Sequence, residues 1–93
     1  MEIEQLRWRP DNEAKLAAHG ITRGEVEEVI DRDEWVIDKH PRFPNQVRMI
    51  GPTSRRRFLT IVLEETDVPT VWRPVTGWDA DDDEMAYYLE EGR

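Results

Sequence analysis

The sequence predicts an α+β domain: a small antiparallel sheet with helices packed on one face, in the order β-α-α-β-β-β-β-α. Three observations predict it. Near the N-terminus, a helix stop and a helix start lie side by side in His19-Gly20-Ile21-Thr22. Between residues 33 and 76, runs of β-branched and apolar residues are separated by short turn signals, the spacing of successive hairpins. After Gly77, a segment that opens with acids carries Met85, Tyr88 and Leu89 at i, i+3 and i+4, the core-facing stripe of a terminal helix.

Each element has its own local argument. Ile3 to Arg9 alternates, with Leu6 and Trp8 on one side and Arg7 and Arg9 on the other, a half-buried strand ended by Pro10. Asp11 to Ala18 forms the first helix, stopped by Gly20, which takes a left-handed C-terminal position without steric cost. Thr22 caps the second helix, Glu25 three residues later reaches back to the cap amide, and Val26, Val29 and Ile30 share a face. Asp33 to Lys39, with Trp35, Val36 and Ile37, is a strand. His40 to Asn45 is a loop, because Pro41 and Pro44 remove donors and disfavour helix. Gln46 to Ile50 is the next strand, Gly51-Pro52-Thr53-Ser54 a turn, and Arg57 to Glu64 the most apolar strand. Glu65 to Pro69 turns back into Thr70 to Thr76, Gly77 punctuates, and Asp79 to Glu91 is a helix whose first-turn acids suit the positive end of its dipole. Short connections imply a meander of antiparallel strands.

Composition narrows the function. With 93 residues, the chain is read as one domain spanning residues 1–93, able to bury roughly 60–65% of its unfolded surface. It has no cysteine, which excludes disulfides, thiolate metal sites and a cysteine nucleophile. The acidic start and the absence of an apolar run near ~20 residues predict a cytoplasmic protein with no membrane partner. The net charge of −8 is uneven: residues 78–93 hold seven acids against Arg93, while residues 38–60 hold six bases against Asp38. Polyphosphate is repelled at long range, yet a local basic face can still bind it. Arginine outnumbers lysine eleven to two, a bias that suits bidentate phosphate or carboxylate recognition and that a GC-rich genome also produces.

The chain has no phosphate-cradling glycine loop, His-Glu-x-x-His pair or Gly-x-Ser-x-Gly elbow. Asp79-x-Asp81-x-Asp83 with Glu90 echoes a calcium loop, but Glu84 stands where the sharp turn needs glycine, so neither metal nor cofactor is expected. What remains is His19, the arginines and the terminal tyrosines. Cleavage of RNA by its own 2′-hydroxyl needs a base, cations for the pentacovalent phosphate, and an acid for the leaving oxygen. His19 reads either as an imidazolium favoured by a helix C-terminus or as a simple cap. Arg48 and Arg73 read either as charge stabilisers or as ordinary outward sheet residues. Arg55, Arg56 and Arg57 read either as phosphate contacts beside Ser54 or as a solvated hairpin tip.

From about Leu6 to Tyr88 the ordered set of motifs resembles the BrnT family, within the RelE/ParE-like toxins. The matching residues are Trp8, Asn12, Lys15, His19-Gly20-Ile21, Glu25-Val26-Glu27-Glu28-Val29, Arg48 with Ile50-Gly51, Arg56-Arg57-Phe58-Leu59, Arg73-Pro74-Val75-Thr76, and Glu84 with Tyr87 or Tyr88. The hairpin lacks the family's glycine, Pro74 replaces a small residue, and the last helix is acidic where the family's is basic. The resemblance implies the toxin component of a type II toxin–antitoxin pair, a metal-independent endoribonuclease that inhibits translation on free or ribosome-bound RNA. His19, Arg48, Arg73, Glu84 and Tyr87 would be catalytic; Arg55, Arg56 and Arg57 would bind RNA phosphate. An antitoxin encoded nearby would cover the Arg55–Arg57 hairpin or the Arg73 strand, and the isolated chain would be a candidate homodimer. The alternative, from the acidic balance, is a non-catalytic protein-binding module on the same fold.

Overall fold

The computed structural model describes residues 1–92; Arg93 lies outside the described residues. The elements are β1 (Gln5–Leu6), α1 (Pro10–Ala18), α2 (Arg23–Arg32), β2 (Val36–Lys39), β3 (Gln46–Pro52), β4 (Phe58–Glu65), β5 (Val71–Asp79) and α3 (Asp82–Glu91), the expected order. They form one five-stranded sheet, β1-β5-β4-β3-β2. The sheet is mixed: β2 to β5 are an antiparallel meander, but β1 pairs parallel to β5, Gln5 with Val71 and Leu6 with Trp72. The α1–α2 segment carries the chain from β1 at one edge of the sheet to β2 at the other, and the meander that follows brings β5 back alongside β1.

The junction between α1 and α2 is built as its residues dictate. Gly20 sits at φ +72 and its N–H bonds Ala17 O, while Ile21 N–H bonds Leu16 O at 2.9 Å. These two bonds make a Schellman stop, and the apolar pair that accompanies it, Leu16 and Ile21, is fully buried. Thr22 and Glu25 form the reciprocal capping box. Pro10 opens α1 instead of merely closing β1; proline's fixed φ and missing donor suit a first helical position.

The sheet has two unlike faces. Leu59, Ile61 and Leu63 of β4 point with Met49 and Trp72 towards Leu16, Ile21, Val26 and Val29 of the two helices, forming the core. The alternate residues point the other way, and there α3 packs: Phe58 meets Tyr88 edge-on at 5.1 Å between centroids, and Trp78 Nε1 donates to Glu84 of α3. The helices are thus divided, α1 and α2 on one face and α3 on the other.

Gly77 lies inside β5 rather than ending it. A Cβ there would stand 2.8 Å from Ile61 Cδ1 and 2.9 Å from Leu16 Cδ2, so glycine is where α1 and the sheet approach most closely. β5 therefore runs to Asp79, and α3 starts at the Asp81 cap. Gly51-Pro52 likewise continues β3, beneath Trp35 and Val29, and the turn begins at Thr53. Its tip is a type I turn closed by Arg56 N–H to Thr53 O, with Arg56 at φ +65 in the position a glycine would normally fill. A bulge in β5 leaves Val75 unmatched, since Val62 pairs Thr76 and Leu63 pairs Pro74. Proline beside a bulge costs no ladder bond.

Candidate functional site

The outer face of the sheet, beyond the reach of most of α3, carries two rows of polar residues. Arg48 on β3 pairs with Asp38 directly across on β2. Arg73 on β5 donates to Glu64 Oε1 on β4 at 2.9 Å, and Gln46 on β3 donates to Glu64 Oε2 at 3.0 Å, so one polar chain spans three strands. Val62, only 2% exposed, lies between the rows, opposite Arg48. Both arginine side chains are themselves mostly covered, 25% and 22% exposed, as stems laid along the sheet would be. Both Arg48 Nε and Arg73 Nε are buried with no hydrogen-bond partner within the protein.

Beside Arg48, α3 closes a cleft of about 330 Å³ lined by Asp38, Arg48, Asp81, Asp83, Glu84 and Tyr87. The structure therefore brings three of the expected catalytic residues, Arg48, Glu84 and Tyr87, into one cleft, with Arg73 on the same sheet face. Glu84 is buried and heavily used: its carboxylate accepts from Trp78 Nε1 at 3.0 Å and from Asp81 N–H at 2.9 Å. Tyr87 donates its hydroxyl proton to Ile37 O at 2.7 Å, and Tyr88 does the same to Glu34 O at 2.8 Å. Burial, reinforced by Asp38 and Glu91, holds the Tyr87 phenol above its ordinary 10.0. Tyr87 is thus protonated at neutral pH, with its proton already shared. Both tyrosines pack inward, and Leu89, expected in the core stripe, is 60% exposed.

His19 stands apart. It is exposed at the C-cap of α1, in the helix layer on the other side of the sheet. The arginine triplet divides. Arg57 is almost wholly engaged inside the molecule: NH1 donates to Gly20 O at 2.9 Å and Glu25 Oε2 at 3.0 Å, while Nε and NH2 grip Asp79 bidentately at 2.7 and 3.2 Å. These carboxylates raise its pKa further. Arg55 and Arg56 are exposed at the hairpin tip, Arg56 lying 5.3 Å over the Phe58 ring and 3.6 Å from Glu34. The tip is pinned to α2 where Ser54 N–H and Oγ–H both donate to Glu28, which lowers that carboxyl's pKa.

The six bases of residues 38–60 therefore make no continuous cationic face: Arg48 belongs to the outer sheet, Lys39 and Arg42 to the end of β2 and the loop after it, Arg57 to the helix junction, Arg55 and Arg56 to the tip. What sequence reasoning passed over is the set of carboxylates that hold these cations, Asp38, Glu64, Glu25 and Asp79. The alternation of Asp38 with Ile37 and of Glu64 with Leu63 was the available signal. Among the described residues no cluster of three or more metal-ligating side chains occurs, and no helix is long and apolar enough to cross a membrane.

No protein-family model and no curated protein sequence matches this chain. Among solved structures it is similar to the ribonuclease toxin BrnT of Brucella abortus, with a TM-score of 0.61 and 12% identity over 84% of this chain and 97% of that one. The fold is BrnT-like.

Proposed function

We propose that this BrnT-like chain is the toxin component of a toxin–antitoxin pair and cleaves RNA on the outer face of its sheet. The observation that carries the proposal is the Arg48–Arg73 pair: two guanidinium groups on one face, each positioned by a cross-strand carboxylate, Asp38 and Glu64. Cations fixed in this way suit the charge that develops on a phosphorane as a 2′-hydroxyl attacks the adjacent phosphate. An RNA phosphate approaching this face exchanges with the carboxylates for the guanidinium donors, a bidentate match for which arginine is built. Tyr87, protonated beside Arg48, would serve as the acid for the leaving oxygen on giving up its bond to Ile37 O, and Glu84 fixes the start of α3 that carries it. His19 lies too far into the other layer to share this cleft, so its part is that of a helix cap. The partner antitoxin is expected to mask the Arg73 strand.

The test is induction in bacteria with measurement of growth and of RNA cleavage in vitro. Arg48→Ala and Arg73→Ala should each reduce cleavage on the order of 100-fold while the far-ultraviolet circular dichroism is unchanged. Equal harmlessness of wild type and Arg73→Ala at equal expression removes the toxin reading.

One observation favours a second reading, a non-catalytic module for a basic protein partner: Asp38, Asp81, Asp83 and Glu84 surround the single cation of the Arg48 cleft. A salt series with a short RNA separates the two. Phosphate contacts give an affinity that falls linearly in log K against log salt; an acidic module gives no binding even at low salt.

A further inference from the structure

On the helix face, away from the Arg48 cleft, an open groove runs between the β1 segment and α2. Two adjoining cavities of about 310 and 420 Å³ compose it, sharing Ile3, Glu4 and Ile30. Its floor is apolar. Ile3, Leu6, Ile30 and Trp35 all pack against the core, yet each is only partly buried, so the core lies open along this flank. Its walls are acidic: Glu2, Glu4, Glu27, Asp31 and Asp33 stand against the Arg23 guanidinium and the Met1 ammonium. Arg23 is already committed, with Nε 3.3 Å from Glu27 and the guanidinium 5.2 Å over the Trp8 ring. Among the described residues, Glu4, Asp31 and Asp33 take part in none of the ion pairs. The backbone of residues 3–6 forms one wall, and β1 pairs with a strand on its β5 side alone.

We propose that this groove docks a protein partner through a basic segment with one apolar face. The floor asks for apolar side chains, since exposed core edge is stabilised by covering it. The walls ask for lysine or arginine, because five carboxylates around a groove set both the orientation and the on-rate of a cationic partner. Nucleic acid and anionic lipid surfaces carry the wrong charge for these walls and for a chain of net charge −8. The proposal is independent of any catalysis on the opposite sheet face.

A synthetic leucine–lysine amphipathic peptide is a sufficient probe, titrated at low salt into the full chain with amide chemical shifts followed by NMR. Perturbations should centre on residues 3–6 and 23–35. The double variant Glu4→Lys/Asp31→Lys, both positions exposed, should weaken binding about tenfold, the yield of two rim charges on a partly apolar site. The double variant Asp82→Lys/Asp83→Lys makes the same charge change on exposed α3 and should leave affinity nearly unchanged. A peptide of identical composition with its leucines scattered round the helix should bind more weakly. Perturbations centred on α3, equal weakening by both double variants, or equal binding of the scrambled peptide would each overturn the proposal, because each means that the peptide senses net charge alone.

Discussion

Arg57→Ala removes a side chain that ties the α1–α2 junction to the end of β5, and its cost can be worked from the contacts. A hydrogen bond to a charged group contributes about 1.5–3 kcal/mol where both partners stay desolvated; a solvent-exposed ion pair contributes about 0.2–1 kcal/mol. The Asp79 carboxylate is 65% exposed, so its bidentate pair belongs near the lower figure, and water replaces Arg57 there. Glu25 is 25% exposed, which moves its bond upwards, while the bond to Gly20 O is exposed and stays near the lower figure. The expected loss is about 2–3 kcal/mol, which for a domain of this length lowers the melting temperature by roughly 10–20 °C. Urea unfolding followed by tryptophan fluorescence measures it, with an unchanged m-value as the check that the loss is one of stability. The pH profile supplies a second reading. Glu25 is held below its ordinary 4.5 chiefly by the Thr22 amide and then by Arg57, and Asp79 below 3.8 chiefly by Arg57. Depressed carboxyls contribute stability above those ordinary values and lose it as pH falls through the lower folded ones. Arg57→Ala should therefore flatten the acid limb as well as lower the neutral plateau. A loss under about 0.5 kcal/mol, or an acid limb as steep as wild type, would refute the keystone role. The same experiment bears on function: inactivity of this variant would report a lost fold, and only Arg55→Ala and Arg56→Ala can test the triplet for RNA phosphate.

Two further substitutions probe local strain and the α3 contact. Asp33 ends α2 at φ +55, in the left-handed region and at the negative end of the helix dipole; Asp33→Gly should stabilise by about 1 kcal/mol, read as a raised urea midpoint. Tyr87→Phe should cost about 1 kcal/mol through the lost bond to Ile37 O. Because the Tyr87 phenol is raised above 10.0 in the fold, the wild type loses stability as pH climbs through that raised value. The phenylalanine variant should lose less over the same alkaline range.

Local chemistry was legible and pairing at a distance was not. The Gly20 stop, the Thr22–Glu25 box and the order of all eight elements follow from residues within four places of one another. The parallel β1–β5 pair joins residues 66 apart, as Leu6 with Trp72, and nothing in the alternation of Ile3 to Arg9 says which neighbour the strand will find or that only two residues will pair. The stripe of α3 misled because the helix is set down by Glu84, held under Trp78, and that rotation turns Leu89 outward while both tyrosines turn in. At the candidate site, the strand alternation put Arg48 and Arg73 outside the core, as the sheet does. The fate of Arg57 depended on partners 22, 32 and 37 positions away, and an arginine triplet on paper carries no sign of which member turns inward.

The phenolic bonds from Tyr87 and Tyr88 to main-chain oxygens of Ile37 and Glu34 have a bearing on self-association. β4 contains Phe58-Leu59-Thr60-Ile61-Val62-Leu63, an uncharged segment with high β-propensity of the kind that stacks into cross-β fibrils. It is safe at the centre of the sheet, so polymerisation would have to start at a border strand. One border, β1, is two residues long. The other, β2, has its carbonyls at Ile37 and just ahead of it at Glu34 plugged by α3, so an incoming strand would first have to evict both phenols. Proteolytic loss of α3 would then convert a guarded sheet border into a template, making the integrity of α3 a safeguard against aggregation as much as a feature of the cleft.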